Sequence, residues 1–208
     1  YKDNPWYGGS YQNNLGHYDI VEVDGEELLM IYISWDVYEP ETDWINSVQA
    51  AHPDTQAIIA THCGINAAAQ QSYTSNILLE NVCRNNPNVL AIINGHYHGS
   101  SLNLVELTSD TGEIHTVYQI CTDYQSAPEG GEGYIKMLYF DVANDKIYIN
   151  SYSPALNNVN YYDEQELLDY TGGAYQNYDI DVVALPVEFD RETEKTLTVS
   201  DISVAGLY

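Results

Sequence analysis

The chain has 208 residues, 44% of them apolar, enough for one domain with a sizeable core or one domain with an ordered tail. It carries 31 acidic side chains against 6 basic ones, a formal net charge of −25, so its surface repels phosphate backbones and nucleic acid is a poor candidate for a standing partner. No apolar run approaches the roughly 20 residues that cross a bilayer, so no membrane span is expected and the chain reads as soluble.

An acidic, Lys-poor, Tyr-rich composition suits a secreted or salt-exposed protein, and the expected location is extracellular or in the cell envelope. Tyr1, with neither an initiator Met nor a charged and then apolar leader behind it, reads as a cut inside a longer chain. Cys63, Cys83 and Cys121 form no paired framework; Cys83 reads as a small buried hydrophobe, and Cys63 directly follows a candidate ligand.

In chain order, Leu28 to Trp35 reads as a buried strand, and Thr42 to Ala51 as a helix with Trp44, Ile45, Val48 and Ala51 on one face, closed by Pro53. Ala57 to Ala60 is a second short strand, Ser75 to Arg84 a second helix with Ile77, Leu78, Val82 and Cys83 as its apolar positions, and Val89 to Ile93 a third strand. Continuous apolar strands alternating with helices predict a mainly parallel sheet covered on both faces. Beyond residue 99 the runs Leu102 to Leu107, Ile114 to Ile120, Tyr134 to Val142 and Lys146 to Tyr152 read as one antiparallel meander, interrupted by a glycine-rich loop at Gly130-Gly131-Glu132-Gly133. From about Pro154 the chain turns polar, which places a boundary between residues 1–154 and a Tyr- and Asp-rich tail, 155–208. In that tail Asp179 to Leu185 and Thr196 to Val204 alternate like strands, either docking as an extra β element or opening a following module.

Two of the strands run straight into histidine, as Ala60-Thr61-His62 and as Ile93-Asn94-Gly95-His96-Tyr97-His98. Ligands of open α/β sheets collect beyond the carboxyl ends of the strands, so His62, His96 and His98 are predicted to converge there as a metal site. His96 and His98 are two apart, which in an extended backbone puts both on one face, and Gly95 and Gly99 allow a close approach. His17, His52 and His115 have no partner at ligand spacing and read as ordinary side chains.

Thr61-His62 and Gly95-His96-Tyr97-His98 resemble the last two signature blocks of the calcineurin-like metallophosphoesterases. Tyr18 through Trp44, Asp123-Tyr124-Gln125, Gly130 through Tyr134 and Tyr152-Ser153-Pro154 resemble the surroundings of those blocks in secreted bacterial members, so the likeness covers about residues 7 to 165. The resemblance implies an α/β fold, the C-terminal half of a four-layer αββα sandwich, with βαβαβ followed by an antiparallel meander. It implies that His62 and His96 bind one metal and His98 another, in a complete enzyme holding two divalent transition metals (Mn, Fe, Zn or Ni), and that Tyr97, Asp123, Tyr124 and Gln125 are the candidates for contact with a phosphoester substrate. The family's earlier blocks, Asp-x-His, Gly-Asp-x-x-Asp and Gly-Asn-His-Asp/Glu, are absent, and with them the bridging Asp, the Asn ligand and the transition-state histidine. No catalytic residue is therefore expected in this segment, at most one metal weakly held, and a missing N-terminal half supplied in cis or in trans. The alternative is a non-catalytic extracellular module that self-associates or binds a surface ligand; a single-metal hydrolase built on the three histidines is a third possibility.

Overall fold

The computed structural model describes residues 1–23, 25–159 and 183–186. A seven-stranded sheet carries the order β1-β2-β3-β4-β5-β7-β6, where β1 is Tyr7–Tyr11, β2 Gly16–Val23, β3 Glu26–Ile33, β4 Gln56–Thr61, β5 Val89–Asn94, β6 Gly99–Thr108 and β7 Ile114–Asp123. Its centre is parallel, β3 beside β4, β4 beside β5 and β5 beside β7, with antiparallel pairs at both margins. A second, antiparallel sheet consists of β8 (Ile135–Asp141), β9 (Lys146–Tyr152) and β10 (Val183–Pro186) in the order β10-β9-β8.

The two faces of the large sheet are buried differently. Leu29, Ile31 and Ile33 of β3 with Ala57 and Ile59 of β4 pack against Ile45 and Val48 of helix α1 (Glu39–Ala51) and Leu78 and Leu79 of helix α2 (Tyr73–Asn81). The alternate positions, Leu28, Ile58, Leu90 and Ile120, pack against Ile147 and Ile149 of β9. Period-two alternation in strands apolar on both faces thus produces helix, sheet, sheet layering, an α/β architecture. No helix among the described residues is long and apolar enough to cross a membrane.

Several expectations need correction. Helix α1 starts three residues earlier than predicted, with Pro40 in its first turn and the Tyr38 N–H donating to the Glu41 carboxylate at 3.0 Å. Ala51 is exposed, and Gln49 is buried in its place, holding Asn88 Nδ2 at 2.8 Å. Helix α2 begins at Tyr73, with Ser72 Oγ accepting from the Ser75 N–H, and ends at Asn81, giving way to a short 3-10 turn over Cys83–Asn85. Trp35 lies beyond the end of β3.

The predicted single meander is divided between two sheets. Strand β7 doubles back antiparallel to β6 but inserts between β6 and β5, running parallel to β5. Burial explains the order: Val117 through Cys121 of β7 are buried without interruption, as a central strand requires, whereas from Asn103 to Glu106 β6 alternates half-buried and exposed residues. The β1–β2 hairpin is not among the strands that the sequence pattern predicts. Its glycines explain the weak signal, because a Cβ on Gly8 would sit 2.0 Å from the Tyr18 ring; the pair is built around an aromatic that occupies side-chain space. Of the polar tail, residues 183–186 pair with β9; the rest of Asp179 to Leu185 and all of Thr196 to Val204 fall outside the described residues.

Candidate functional site

Strands β4 and β5 lie side by side and in parallel, with Thr61 opposite Asn94 at their carboxyl ends, so the loops bearing His62 and His96 leave the sheet together. The loop after His62 is clamped by one side chain. Asn94 Oδ1 accepts from the Ile65 N–H at 3.0 Å, and its Nδ2 donates to the Ile65 and Gly95 carbonyls at 2.9 and 2.8 Å. Gly64 makes room for that amide, since a Cβ there would lie 2.2 Å from Asn94 Oδ1.

After β5 the backbone makes a γ-turn. The Tyr97 N–H donates to the Gly95 carbonyl at 2.7 Å, and His96 between them sits at φ 63, a conformation that residues with side chains seldom adopt. His62 Nε2 and His96 Nδ1 face each other at 3.2 Å. The same turn breaks the extended geometry expected of His96-Tyr97-His98, so the two histidines do not share one face. Instead, His98 is exposed and lies against the β7 exit loop, with Gln125 Nε2 at 3.0 Å from its Nε2 and Ser126 Oγ against its Nδ1. Among the described residues no group of three or more His, Cys, Asp or Glu side chains is gathered closely enough to hold a metal ion. The structure therefore brings together two of the three predicted imidazoles. Gly95 is not sterically required, because a Cβ there would meet nothing nearer than 3.6 Å.

The spacing of the pair can be tested against a metal. Two nitrogens each about 2.1 Å from one ion and 3.2 Å apart subtend roughly 100° at it, between octahedral and tetrahedral values. The separation of the two nitrogens matches two adjacent positions of one coordination sphere.

A cavity of about 440 Å³ opens beside the pair, lined by His62, His96, Asp123, Tyr124, Gln125 and the glycine-rich loop. Asp123 Oδ1 accepts from the Gln125 N–H at 3.1 Å, which fixes the turn carrying both side chains. Tyr124 is buried with its hydroxyl 2.5 Å from Ser151 Oγ, so it offers the cavity its ring and backbone rather than its phenol. Gly131 is needed here, since it has φ 100 and a Cβ would come within 2.6 Å of the Tyr124 carbonyl oxygen. Tyr97 sets its ring edge against His96, centroids 4.8 Å apart. The Thr122 hydroxyl oxygen is buried with no hydrogen-bond partner among the described residues.

All three cysteines are free and buried. Burial, and then the charge of Asp36, raise the Cys63 thiol above its ordinary value, which opposes the thiolate a metal ligand needs. His17 stacks on Tyr32, His52 tilts against Tyr18 and His115 Nε2 lies 2.9 Å from the Cys83 carbonyl oxygen.

Sequence reasoning missed Trp35, whose indole stacks on His62 with centroids 3.9 Å apart, and Asn94 and Gly64, which set the loop between. The signal for Trp35 was present: it follows β3, which runs parallel to β4, and so leaves the sheet at the same end as the histidines.

No family model matches the sequence. Over 159 residues, 76% of the chain, it is 38% identical to the uncharacterized protein YvnB of Bacillus subtilis (strain 168). The chain spans 12% of the length of that relative.

Proposed function

We propose that the chain is the C-terminal part of the catalytic domain of a metal-dependent phosphoric ester hydrolase of the calcineurin-like type, secreted and acting on a small phosphoester. The observation that carries the reading is the His62–His96 pair, 3.2 Å apart beyond the carboxyl ends of two adjacent parallel strands and open to a cavity. In this reading the helix, sheet, sheet layering is the C-terminal portion of a four-layer αββα sandwich, and the rest of the fold comes from an upstream half in cis or in trans. The match to a small part of a much longer relative is compatible with such an arrangement.

His62 Nε2 and His96 Nδ1 would hold one divalent ion, and His98, which here contacts Gln125 and Ser126, would serve a second. Bound metal supplies a Lewis acid and an activated water. The chain's own contribution is to present two imidazoles side by side, while Asp123 and Gln125, with Tyr97 nearby, line the place where the ester's leaving group sits. The charge of −25 makes the metal a requirement for admitting an anionic substrate.

The test is turnover of p-nitrophenyl phosphate and bis-p-nitrophenyl phosphate with Mn²⁺, Zn²⁺, Fe²⁺ or Ni²⁺. The isolated chain is expected to turn over neither, because the bridging carboxylate and one donor to the phosphoryl oxygens are lacking, and a single such donor is worth ~100- to 1,000-fold in rate. A chain extended upstream is expected to turn over at least one, and to lose that activity in His96→Ala. Robust turnover by the isolated chain, abolished in His96→Ala, would replace this reading with the single-metal hydrolase. An extended chain inactive with every metal would replace it with the non-catalytic module.

A further inference from the structure

Trp35 is 47% exposed, an unfavourable place for an indole unless it is held against something. What holds it is the histidine pair. Its ring stacks on His62 at 3.9 Å and 22°, and meets His96 edge-on at 4.6 Å and 67°. The backbone arranges this directly: Thr61 Oγ1 donates to the Ser34 carbonyl at 3.4 Å, tying the residue before Trp35 to the residue before His62. Two positions on, Val37 is buried in the main core and anchors the same loop.

The imidazoles need such a support. A metal-binding histidine is ordinarily oriented by an acceptor on its other ring nitrogen. Among the described residues the only hydrogen-bond partner of either imidazole is the other one. Among the described residues no polar group besides His96 fixes the plane of His62, and an exposed imidazole free to turn about its side-chain torsions would hold Nε2 opposite His96 Nδ1 for only part of the time.

We propose that Trp35 is the positioning residue of the His62–His96 pair, its indole fixing the plane of His62 so that the two facing nitrogens stay at metal-binding separation. The inference rests on the metal reading of the site and adds to it a residue that acts through His62 rather than as a ligand. Trp35 acts through a ring face rather than a hydrogen bond, so any flat aromatic of sufficient reach preserves the role and an aliphatic does not.

The experiment uses the full chain, with Co²⁺ as probe, and compares wild type, Trp35→Ala, Trp35→Phe and His96→Ala. Co²⁺ binding is followed by visible absorption and calorimetry, with the His96→Ala titration as the background from surface carboxylates. A readout independent of metal is the NMR shift of the His62 ring protons, which an indole stacked at 3.9 Å moves upfield. Trp35→Ala is expected to weaken Co²⁺ binding by roughly tenfold and to return the His62 shift to its free value, and Trp35→Phe to recover affinity to within about threefold of wild type. Equal affinity in wild type and Trp35→Ala, with His96→Ala still defective, would overturn the role of Trp35 and leave the metal site standing. Trp35→Phe binding as weakly as Trp35→Ala would also overturn it. Wild type binding no better than His96→Ala would remove the metal reading, and this inference with it.

Discussion

Asn94 shows how much of the site depends on one amide. It satisfies both the N–H and the carbonyl of Ile65, doing for a loop what a neighbouring strand does for a strand. Asn94→Ala leaves those buried groups unpaired beside a void that Gly64 cannot fill. The expected cost is about 2–3 kcal/mol, read as a lower urea midpoint with an unchanged slope. A midpoint within error of wild type would mean that water or a shifted loop replaces the amide. The strained His96 backbone, with φ 63, belongs to the same construction, because the γ-turn that aims its imidazole at His62 starts from the carbonyl that Asn94 also holds.

At the scale of elements, the insertion of β7 between β5 and β6 settles which strand is central and which is the margin. Ile120 of β7 is 3% exposed and lies between the sheets, whereas Leu104 of β6 is 56% exposed on an edge strand. Ile120→Ala is expected to cost about 2–4 kcal/mol and Leu104→Lys to stay within about 0.5 kcal/mol of wild type in denaturant unfolding. Leu104→Lys also places a charge on the margin strand of the described sheet, so any self-association through β6 should weaken in sedimentation. A large loss from Leu104→Lys with little from Ile120→Ala would reverse the assigned strand order.

Across the whole molecule the acidic side chains repel one another. Among the described residues a salt bridge joins Arg84 to Glu80, on the surface and within one helical turn's reach, and it offsets little of a net charge of −25. Raising NaCl from about 0.01 to 0.5 M shortens the screening length from roughly 30 Å to under 10 Å, so the melting temperature should rise. An unchanged or lower melting temperature would show that the acidic side chains are spaced widely enough for their repulsion to cost the fold nothing.

The strands Val89 to Ile93 and Ala57 to Ala60 and the histidines after them were legible because burial of a parallel strand on both faces writes a continuous apolar run, and the chain must leave such a run at a fixed end. Periodicity is local, however, and carries no information on partners. Tertiary contacts alone decided that β7 passes inside β6, that the last two long strands form a separate sheet, and that His98 parts from His96 at a γ-turn. Trp35 and His62 are 27 positions apart and meet only because β3 and β4 pair in parallel with their exits aligned, a nonlocal choice made by the buried faces of both strands and by one hydrogen bond from Thr61 to Ser34.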